Sequence, residues 1–443
     1  MRAMISRENA AIVVMFVLVS LWSIAFQPQN NVNGYDGMFY LNMAQTMAHG
    51  QPVTGPVPWI YRVGTPFLAA IVAPITGDMV AAFKLVNIAA SLLTTLLLAV
   101  YLRRHVGSMY ARLIVMFLYL TMWHAPVRFA YFYPTSVDFW LMAFVLAALL
   151  LGDMIREKYA DGVGAQRAAP LLVLLSVVIF VGVLFREVVA VFGVAALFIG
   201  NPLIFGHNPT YIRRINLSNF ANVLPFLAAI AGIFVSHALV VVNQEGYPYT
   251  FDGTIYLWLY DKRLMTYLLA WFVAFGPLLA LVLYNWRRAV EWLSQRQDVA
   301  VFVLAIVVLA WVGGTDTERF LYWAMPIFYV LLGKALEDHG AWLRRSQVLV
   351  TVLVATQLLT QRFLLPTPDF NTLTEPQIFP LLTVLGTDTA FEHLQTFYST
   401  LRWQSISFAL TVQHVALLAI LLLWMSIVAG RWKHANRDEG EGN

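Results

Sequence analysis

The sequence contains no cysteine. No disulfide can therefore tie its loops together, and no thiolate can act as a nucleophile or bind a metal. The HExxH pattern of two metal-binding histidines on one helix face is also missing, so a histidine-based metal site is not indicated. GxGxxG after a strand and GxxxxGK[ST] are missing as well, which excludes the familiar nucleotide-binding loops. Any activated substrate must bind in another way.

Charge is scarce too: charged residues make up 12% of the 443 positions, against 60% hydrophobic residues. A water-soluble domain of this length could not hide so much apolar surface. Strands that alternate apolar and polar residues are absent, which excludes an outer-membrane barrel. The net charge of +4 is small, and no basic stripe interleaved with aromatics is present, so nucleic acid is not an expected partner. The lipid bilayer is the expected surrounding of this chain.

Apolar runs and the breaks between them predict an all-α, polytopic transmembrane bundle of about 12 helices. The predicted spans are 10–26, 79–101, 112–127, 136–151, 170–184, 188–200, 220–242, 264–284, 299–313, 319–336, 347–365 and 406–430. The segment from Met38 to Ala48 is apolar over much of its surface and is predicted to be an interfacial helix in the first outer loop. An even number of spans places both termini on one side.

The loops on the side of the termini are short and basic. They carry Arg103, Arg104, Arg112, Arg156, Lys158, Arg167, Arg213, Arg214, Arg287, Arg288, Arg296, Arg344, Arg345, Arg431, Lys433 and Arg437. Cytoplasmic loops show this excess of lysine and arginine. The sequence therefore predicts a multi-pass protein of the cell (inner) membrane with both termini in the cytoplasm. The long connections 27–61, 243–262 and 366–405 lie on the other side, where we expect the chemistry.

Asp36 stands between Tyr35 and Gly37, just after the first apolar run. An Asp-Gly pair favours a turn, which would expose the carboxylate at the membrane surface. One interpretation is a simple turn that leads into the interfacial helix. The other is a reactive carboxylate, and the residues alone leave both open.

Cations on the same side could bind an anion. Arg62 follows an aromatic pair, so it is either an interfacial arginine that reaches the headgroups or a clamp for a phosphate. Lys84 could likewise reach the outer interface or complete an anion site. Asp316, Glu318 and Arg319 share one very short turn, which is either a salt-bridge staple or a functional site.

Three further charges are predicted at helix ends on this side. Asp138 follows a run of hydroxyl residues, a pattern typical of a helix start, where an acid in the first turn complements the helix dipole. Arg186 and Glu187 stand where one apolar run meets the next. Because adjacent residues on a helix do not face each other, each of these two needs a partner elsewhere.

The acid in the first outer loop, the arginine after an aromatic pair, and the Arg-Glu and Asp-x-Glu-Arg turns together resemble the GT-C superfamily of polytopic membrane glycosyltransferases. The resemblance covers 1–336 and implies a transmembrane module with an outer-face site and a polyprenyl-phosphate sugar donor. We expect 337–435 to form C-terminal helices whose outer loop, 366–405, shapes the choice of acceptor. The tail 436–443 is predicted to be disordered.

The resemblance also implies roles for single residues. Asp36 would be the catalytic general base; the donor phosphate would be bound by Arg62, Arg186, Arg319 and Lys84; and the substrates would be oriented by Asp138, Glu187, Asp316, Glu318 and Tyr35. The family often has a second acid in or after the first loop, whereas Gly37 follows Asp36 here. No cofactor is therefore assigned, and a divalent metal is left open.

The expected activity is transfer of a sugar from a polyprenyl-phosphate-linked donor to an acceptor hydroxyl on the non-cytoplasmic face, with the acceptor unidentified. The alternatives are a transporter or flippase of lipid-linked saccharide, and a catalytically silent partner subunit. Charges that line a transport pathway should lie at mid-membrane depth. The charges of this sequence are predicted to cluster at one face, which favours the enzyme.

Overall fold

The computed structural model describes residues 2–26, 36–160, 165–200, 221–243, 250–262, 264–313, 317–361, 363, 412 and 414–432. Tyr35, Asp316, the outer loop 366–405 and the tail 436–443 lie outside these residues. The described part of the chain is almost wholly helical.

The helices of the N-terminal half are α1 (Arg2–Phe26), α2 (Asp36–Ala48), α3 (Gly64–Thr76), α4 (Met79–His105), α5 (Met109–Thr121), α6 (Pro126–Phe132), α7 (Asp138–Ala160), α8 (Ala165–Phe185), α9 (Val191–Ala196) and α10 (Val223–Ala238). Those of the C-terminal half are α11 (Phe251–Asp261), α12 (Leu264–Phe275), α13 (Leu279–Tyr284), α14 (Trp286–Ser294), α15 (Gln297–Val312), α16 (Thr317–Tyr322), α17 (Met325–Arg345), α18 (Gln347–Thr360) and α19 (His414–Trp432). Two short strands, β1 (Thr54–Gly55) and β2 (Val241–Val242), pair in parallel.

Seven helical stretches in the described part are long and apolar enough to cross a membrane, or eight if the bent pair α14 and α15 is one span. The seven are Arg7–Phe26, Met79–His105, Met109–Phe132, Asp138–Tyr159, Ala168–Phe185, Tyr267–Tyr284 and His414–Trp432. Each overlaps a span that the sequence predicts. The all-α polytopic class is therefore confirmed, whereas the count of about 12 from window length is not.

The other predicted spans are shorter in the structure or interrupted. The runs 220–242 and 347–365 form the unbroken but short helices α10 and α18, of 16 and 14 residues. The run 188–200 begins in a 3-10 turn, Glu187–Ala190, and its α-helix ends at Ala196. The run 319–336 is divided between α16 and α17, and α14 meets α15 at a bend of 116°. One apolar helix, α3, was not predicted; the residue after its end, Gly77, has a left-handed φ of 70°, which suits a glycine. The predicted boundary at residue 336 falls inside α17, so the two predicted segments share a helix.

The long helices define two ends of the bundle. Helix α4 begins where the Asp78 carboxylate accepts a hydrogen bond from the Ala81 N–H at 2.7 Å, and its last turn carries Arg103, Arg104 and His105, as the helix dipole favours. Helix α7 packs against α4 and α8. Its 23 residues extend about 34 Å at 1.5 Å per residue, enough to separate two membrane faces.

Four of the predicted cytoplasmic arginines, Arg103, Arg104, Arg112 and Arg156, gather at one of these ends. Arg112 makes a two-point ion pair with Glu8 of α1 at 2.8 and 2.9 Å, and Arg103 also contacts Glu8. Near the end of α7, Asp153 contacts both Arg104 and Arg156. We call this the basic end and the opposite one, where α7 starts at Asp138, the site end.

Candidate active site

Four charged side chains from four separate segments meet at the site end. The Arg319 Nη2 lies 3.7 Å from the Asp36 Oδ2, and its Nε lies 3.5 Å from the Asp138 Oδ2. The Arg186 Nη1 lies 2.6 Å from the Asp138 Oδ1. The result is a chain of alternating charge in the order Asp36, Arg319, Asp138, Arg186. We call these residues the acid–arginine cluster.

The acid–arginine cluster is most exposed at the Asp36 end of this chain and most buried at the Arg186 end. The side chain of Asp36 is 19% exposed, those of Arg319 and Asp138 are 10% and 13% exposed, and that of Arg186 is only 3% exposed. Charges shielded from water interact more strongly than charges at a surface. Asp36 combines the greatest exposure with the longest contact of the cluster. Asp36 is therefore the most accessible and the most loosely held member of the cluster.

The Asp-Gly pair predicted that Asp36 lies on an exposed turn, and the structure does not show such a turn. Asp36 is the first residue of α2, where a carboxylate is stabilised by the positive end of the helix dipole. Tyr40, four residues later, lies on the same helix face and is 1% exposed. The prediction of a turn was wrong because tertiary contacts of α2, which sequence does not display, extend the helix to include the acid.

Arg62 and Glu187 form a second set of contacts beside the cluster. The Arg62 Nε and Nη2 donate to the Glu187 carboxylate at 3.0 and 2.6 Å, and its Nη1 donates to the Tyr40 hydroxyl at 2.7 Å. The guanidinium fork of Arg62 is thus occupied by protein groups, which favours a positioning role: it ties α2 to the segment after α8. The predicted phosphate clamp at Arg62 stays a prediction.

The prediction that Arg186 and Glu187 need separate partners is confirmed, since Arg186 binds Asp138 and Glu187 binds Arg62. Burial alone would raise the pKa of the Glu187 carboxyl, but the Arg62 guanidinium, with a smaller effect of Arg186, lowers this pKa to about 2. The side chain of Glu187 is 46% exposed, so its attraction to Arg62 outweighs its desolvation. Glu187 therefore remains an anion at any physiological pH.

Aromatic residues enclose the inner part of the cluster. The Arg186 guanidinium carbon lies 5.1 Å from the centroid of the Trp323 ring, a cation–π distance. Asp138, Arg319 and Trp323 line a cavity of about 20 Å³ together with Phe129 and other residues. That is room for about one water molecule. This cavity is therefore too small to hold a sugar in this conformation.

Sequence reasoning missed two residues of this region, Tyr40 and Trp323. The signal for Tyr40 is its position four residues after Asp36, which puts both on one face of a helix. Trp323 follows Arg319 by four residues, but the turn between α16 and α17 separates them, so spacing alone could not have found it. Its contact with Arg186 depends on how α8 and α16 pack.

Four further residues were predicted for the site: Lys84, Glu318, Tyr35 and Asp316. The Lys84 ammonium lies 5.3 Å from the centroid of the Tyr131 ring, a cation–π contact. Glu318 is fully buried at the start of α16, so it does not face a substrate in this conformation. Tyr35 and Asp316 are not among the described residues. The roles assigned to these four stay predictions.

Asp36 and Asp138 offer the carboxylate oxygens that divalent cations prefer, and Arg319 contacts both. In the part of the chain that the structure describes, no group of three or more His, Cys, Asp or Glu residues is arranged to hold a metal ion. Arg186 and Arg319 are the groups of the cluster that can neutralise the charge of a phosphate.

Comparison with known proteins identifies the architecture. Neither the family models nor the curated proteins give a match to this sequence. Among solved structures, ArnT from Cupriavidus metallidurans bound to undecaprenyl phosphate matches with a TM-score of 0.54 at 13% identity, over 95% of this chain and 78% of ArnT. ArnT is a GT-C glycosyltransferase. The chain has the GT-C fold.

A second GT-C structure supports the assignment of fold. The oligosaccharyltransferase AglB from Archaeoglobus fulgidus, in complex with an inhibitory peptide and a dolichol-phosphate, matches with a TM-score of 0.50 at 13% identity. The match covers 88% of this chain and 59% of AglB, so the chain spans less than two thirds of that protein. The GT-C resemblance predicted from sequence is thus confirmed for the fold.

Proposed function

We propose that this protein is a membrane glycosyltransferase that moves a sugar from a polyprenyl-phosphate-linked donor to an acceptor hydroxyl. The observation that carries the proposal is the meeting of Asp36, Asp138, Arg186 and Arg319 at one end of the transmembrane helices. The structures with the same fold support the class of donor, since ArnT was solved with undecaprenyl phosphate and AglB with a dolichol-phosphate.

The donor phosphate would bind to Arg186 and Arg319. A guanidinium presents planar N–H pairs that match phosphate oxygens. The contacts of Arg319 with the two acids, at 3.7 and 3.5 Å, are longer than hydrogen bonds, so a phosphate that offers closer oxygens can replace them. In the proposed complex Asp138 keeps its 2.6 Å contact with Arg186 and holds that guanidinium in place.

Asp36 would then act as the general base. Once a phosphate has replaced Asp36 as the partner of Arg319, the Asp36 carboxylate is free to accept a proton. It can then take the proton of the acceptor hydroxyl while the hydroxyl oxygen attacks the anomeric carbon. The bond between that carbon and the phosphate oxygen breaks, and both bonding electrons leave with the polyprenyl phosphate, whose charge Arg186 and Arg319 stabilise. A single displacement of this kind inverts the anomeric configuration.

The location of the cluster also favours an enzyme over a transporter. Asp138 is the first residue of α7, so the cluster lies at the end of a span rather than at its middle. Ionisable groups on a transport pathway are expected within the span.

Purified protein given a donor with a labelled sugar should therefore move the label to an acceptor and leave free polyprenyl phosphate.

We further propose that the site end faces away from the cytoplasm and that the basic end faces it. Because the chain has no cysteine, single cysteines can report each side. Gln51, exposed after α2, and Lys158, exposed near the end of α7, are suitable positions. In intact cells a membrane-impermeant thiol reagent should label Gln51→Cys and label Lys158→Cys only after the membrane is opened. Labelling in the reverse order would show that the orientation is wrong.

A further inference from the structure

A second charged pocket, with a volume of about 180 Å³, lies between α14 and α17. It is lined by Arg288, Glu291 and Trp292 of α14 and by Lys334, Glu337 and Asp338 of α17, among others. At about 30 Å³ per water, this volume corresponds to roughly six water molecules, room for a small head group. We call it the basic-end pocket.

The basic-end pocket lies far from the acid–arginine cluster. The Glu337 carboxylate accepts a hydrogen bond from the Ser108 N–H, just after α4 ends at His105, and the Asp338 carboxylate accepts one from the Asn285 side chain at 3.0 Å. Both contacts place the pocket at the basic end. It therefore takes no part in the proposed sugar transfer.

Two residues that line the pocket, Trp292 and Lys334, have unused hydrogen-bond donors. Trp292 is only 6% exposed, and its buried indole N–H has no partner among the described residues. A buried polar group without a partner is costly, and such a group commonly marks a ligand or water site. Lys334 makes neither a hydrogen bond nor an ion pair within the described part of the chain. The Lys334 ammonium suits an oxygen-rich anion such as a phosphate.

The acids that line the pocket favour a ligand that also carries a positive charge. Glu291 pairs with Arg288 at 2.9 Å, but both side chains are more than half exposed, and such a surface pair is weak enough to open for a ligand. With Glu337 and Asp338 the lining has three acids against two cations. A lone anion would meet excess negative charge, and a lone cation would meet Arg288 and Lys334. A group with a charge of each sign satisfies both sets.

The pocket is also placed at the level of lipid head groups. Helix α14 is bent by 116° from α15, so it runs across the end of that span. Trp286 and Val290, four residues apart, form one exposed apolar face of α14, each 55% exposed. An amphipathic helix of this kind lies in the membrane interface with its apolar face towards the acyl chains.

We infer that the basic-end pocket binds a phosphoethanolamine group, with the phosphate at Lys334 and Arg288, and the primary ammonium at Glu291, Glu337 and Asp338. The group can be the head of a phosphatidylethanolamine in the leaflet at the basic end, or a soluble phosphoethanolamine. Both present the same charges and hydrogen-bonding groups.

Delipidated full-length protein in detergent, titrated by its tryptophan fluorescence, tests this inference. The probes are short-chain phosphatidylethanolamine, phosphatidylcholine and phosphatidylglycerol, and free phosphoethanolamine. Phosphatidylethanolamine should bind about tenfold more tightly than the other two lipids, since trimethylation removes the ammonium donors and glycerol has no cation. Lys334→Met should weaken its binding about tenfold, whereas Arg345→Met, at an exposed position of the basic end outside the pocket, should not.

Binding of free phosphoethanolamine shows whether the natural ligand is soluble or is a lipid. If phosphoethanolamine alone binds as tightly as the lipid, the ligand is soluble; if the lipid binds far more tightly, the ligand is the lipid. Equal binding of the three lipids, or unchanged binding in Lys334→Met, overturns the inference. Glu291→Gln, at an exposed position, provides a variant without risk to the fold and should reduce the preference for phosphatidylethanolamine over phosphatidylglycerol.

Discussion

Replacement of Asp36 by asparagine is expected to slow sugar transfer by about 10²- to 10⁴-fold, the usual contribution of a general base. Asparagine has nearly the same shape and can still accept a hydrogen bond at the start of α2, but it cannot take a proton. Binding of polyprenyl phosphate and the midpoint of thermal unfolding should stay close to those of the wild type, because the 3.7 Å contact with Arg319 is the weakest of the cluster. Initial rates with saturating donor measure the effect.

Asp78→Asn is the matched control for this variant. Asp78 also lies at the site end, where it caps α4, and asparagine caps a helix about as well as aspartate. It should transfer sugar at the wild-type rate. An Asp36→Asn variant that does the same would remove Asp36 from the role of base and leave Asp138 as the carboxylate to examine.

Arg319→Lys is expected to reduce the turnover number by about 10²- to 10³-fold, the loss typical when one group that stabilises developing charge is removed. Lysine keeps the positive charge but loses the planar fork that lets Arg319 face Asp36 and Asp138 together. Turnover at saturating donor and equilibrium binding of polyprenyl phosphate should both be measured. Binding should fall less than turnover, since Arg186 still contacts the phosphate.

Arg103→Lys serves as the control for Arg319→Lys. Arg103 is also paired with a carboxylate, that of Glu8, but at the basic end. This variant should leave both turnover and binding unchanged. Wild-type turnover in Arg319→Lys would assign Arg319 a purely structural role between α2 and α7.

Much of the fold could be predicted because the length of each apolar run can be counted in the sequence. The runs at 79–101 and 170–184 became the spans Met79–His105 and Ala168–Phe185. The failures have a physical cause: an apolar window shows neither where a helix ends nor where the backbone bends. The bend between α14 and α15 and the 3-10 turn at Glu187–Ala190 depend on packing between distant helices. Such breaks cannot be read from composition.

The sequence could indicate which residues belong to the acid–arginine cluster, but not which of them contact one another. Sequence singled out Asp36, Asp138, Arg186 and Arg319, because charges next to apolar runs are costly unless they serve a purpose. Which acid meets which arginine depends on the packing of α2, α7, α8 and α16. For the same reason the sequence could not show that the fork of Arg62 is occupied by Glu187 and Tyr40.

Sugar transfer by the purified protein tests the central claim most directly. The protein, reconstituted in vesicles, is given polyprenyl phosphate that carries a radiolabelled sugar, with an extract of the cell envelope as the source of acceptor. The account predicts that the wild type moves the label to an acceptor and releases free polyprenyl phosphate, and that Asp36→Asn does neither at a comparable rate. If instead the intact labelled lipid crosses the bilayer with its sugar still attached, equally fast in both proteins, the protein is a transporter and the account is contradicted.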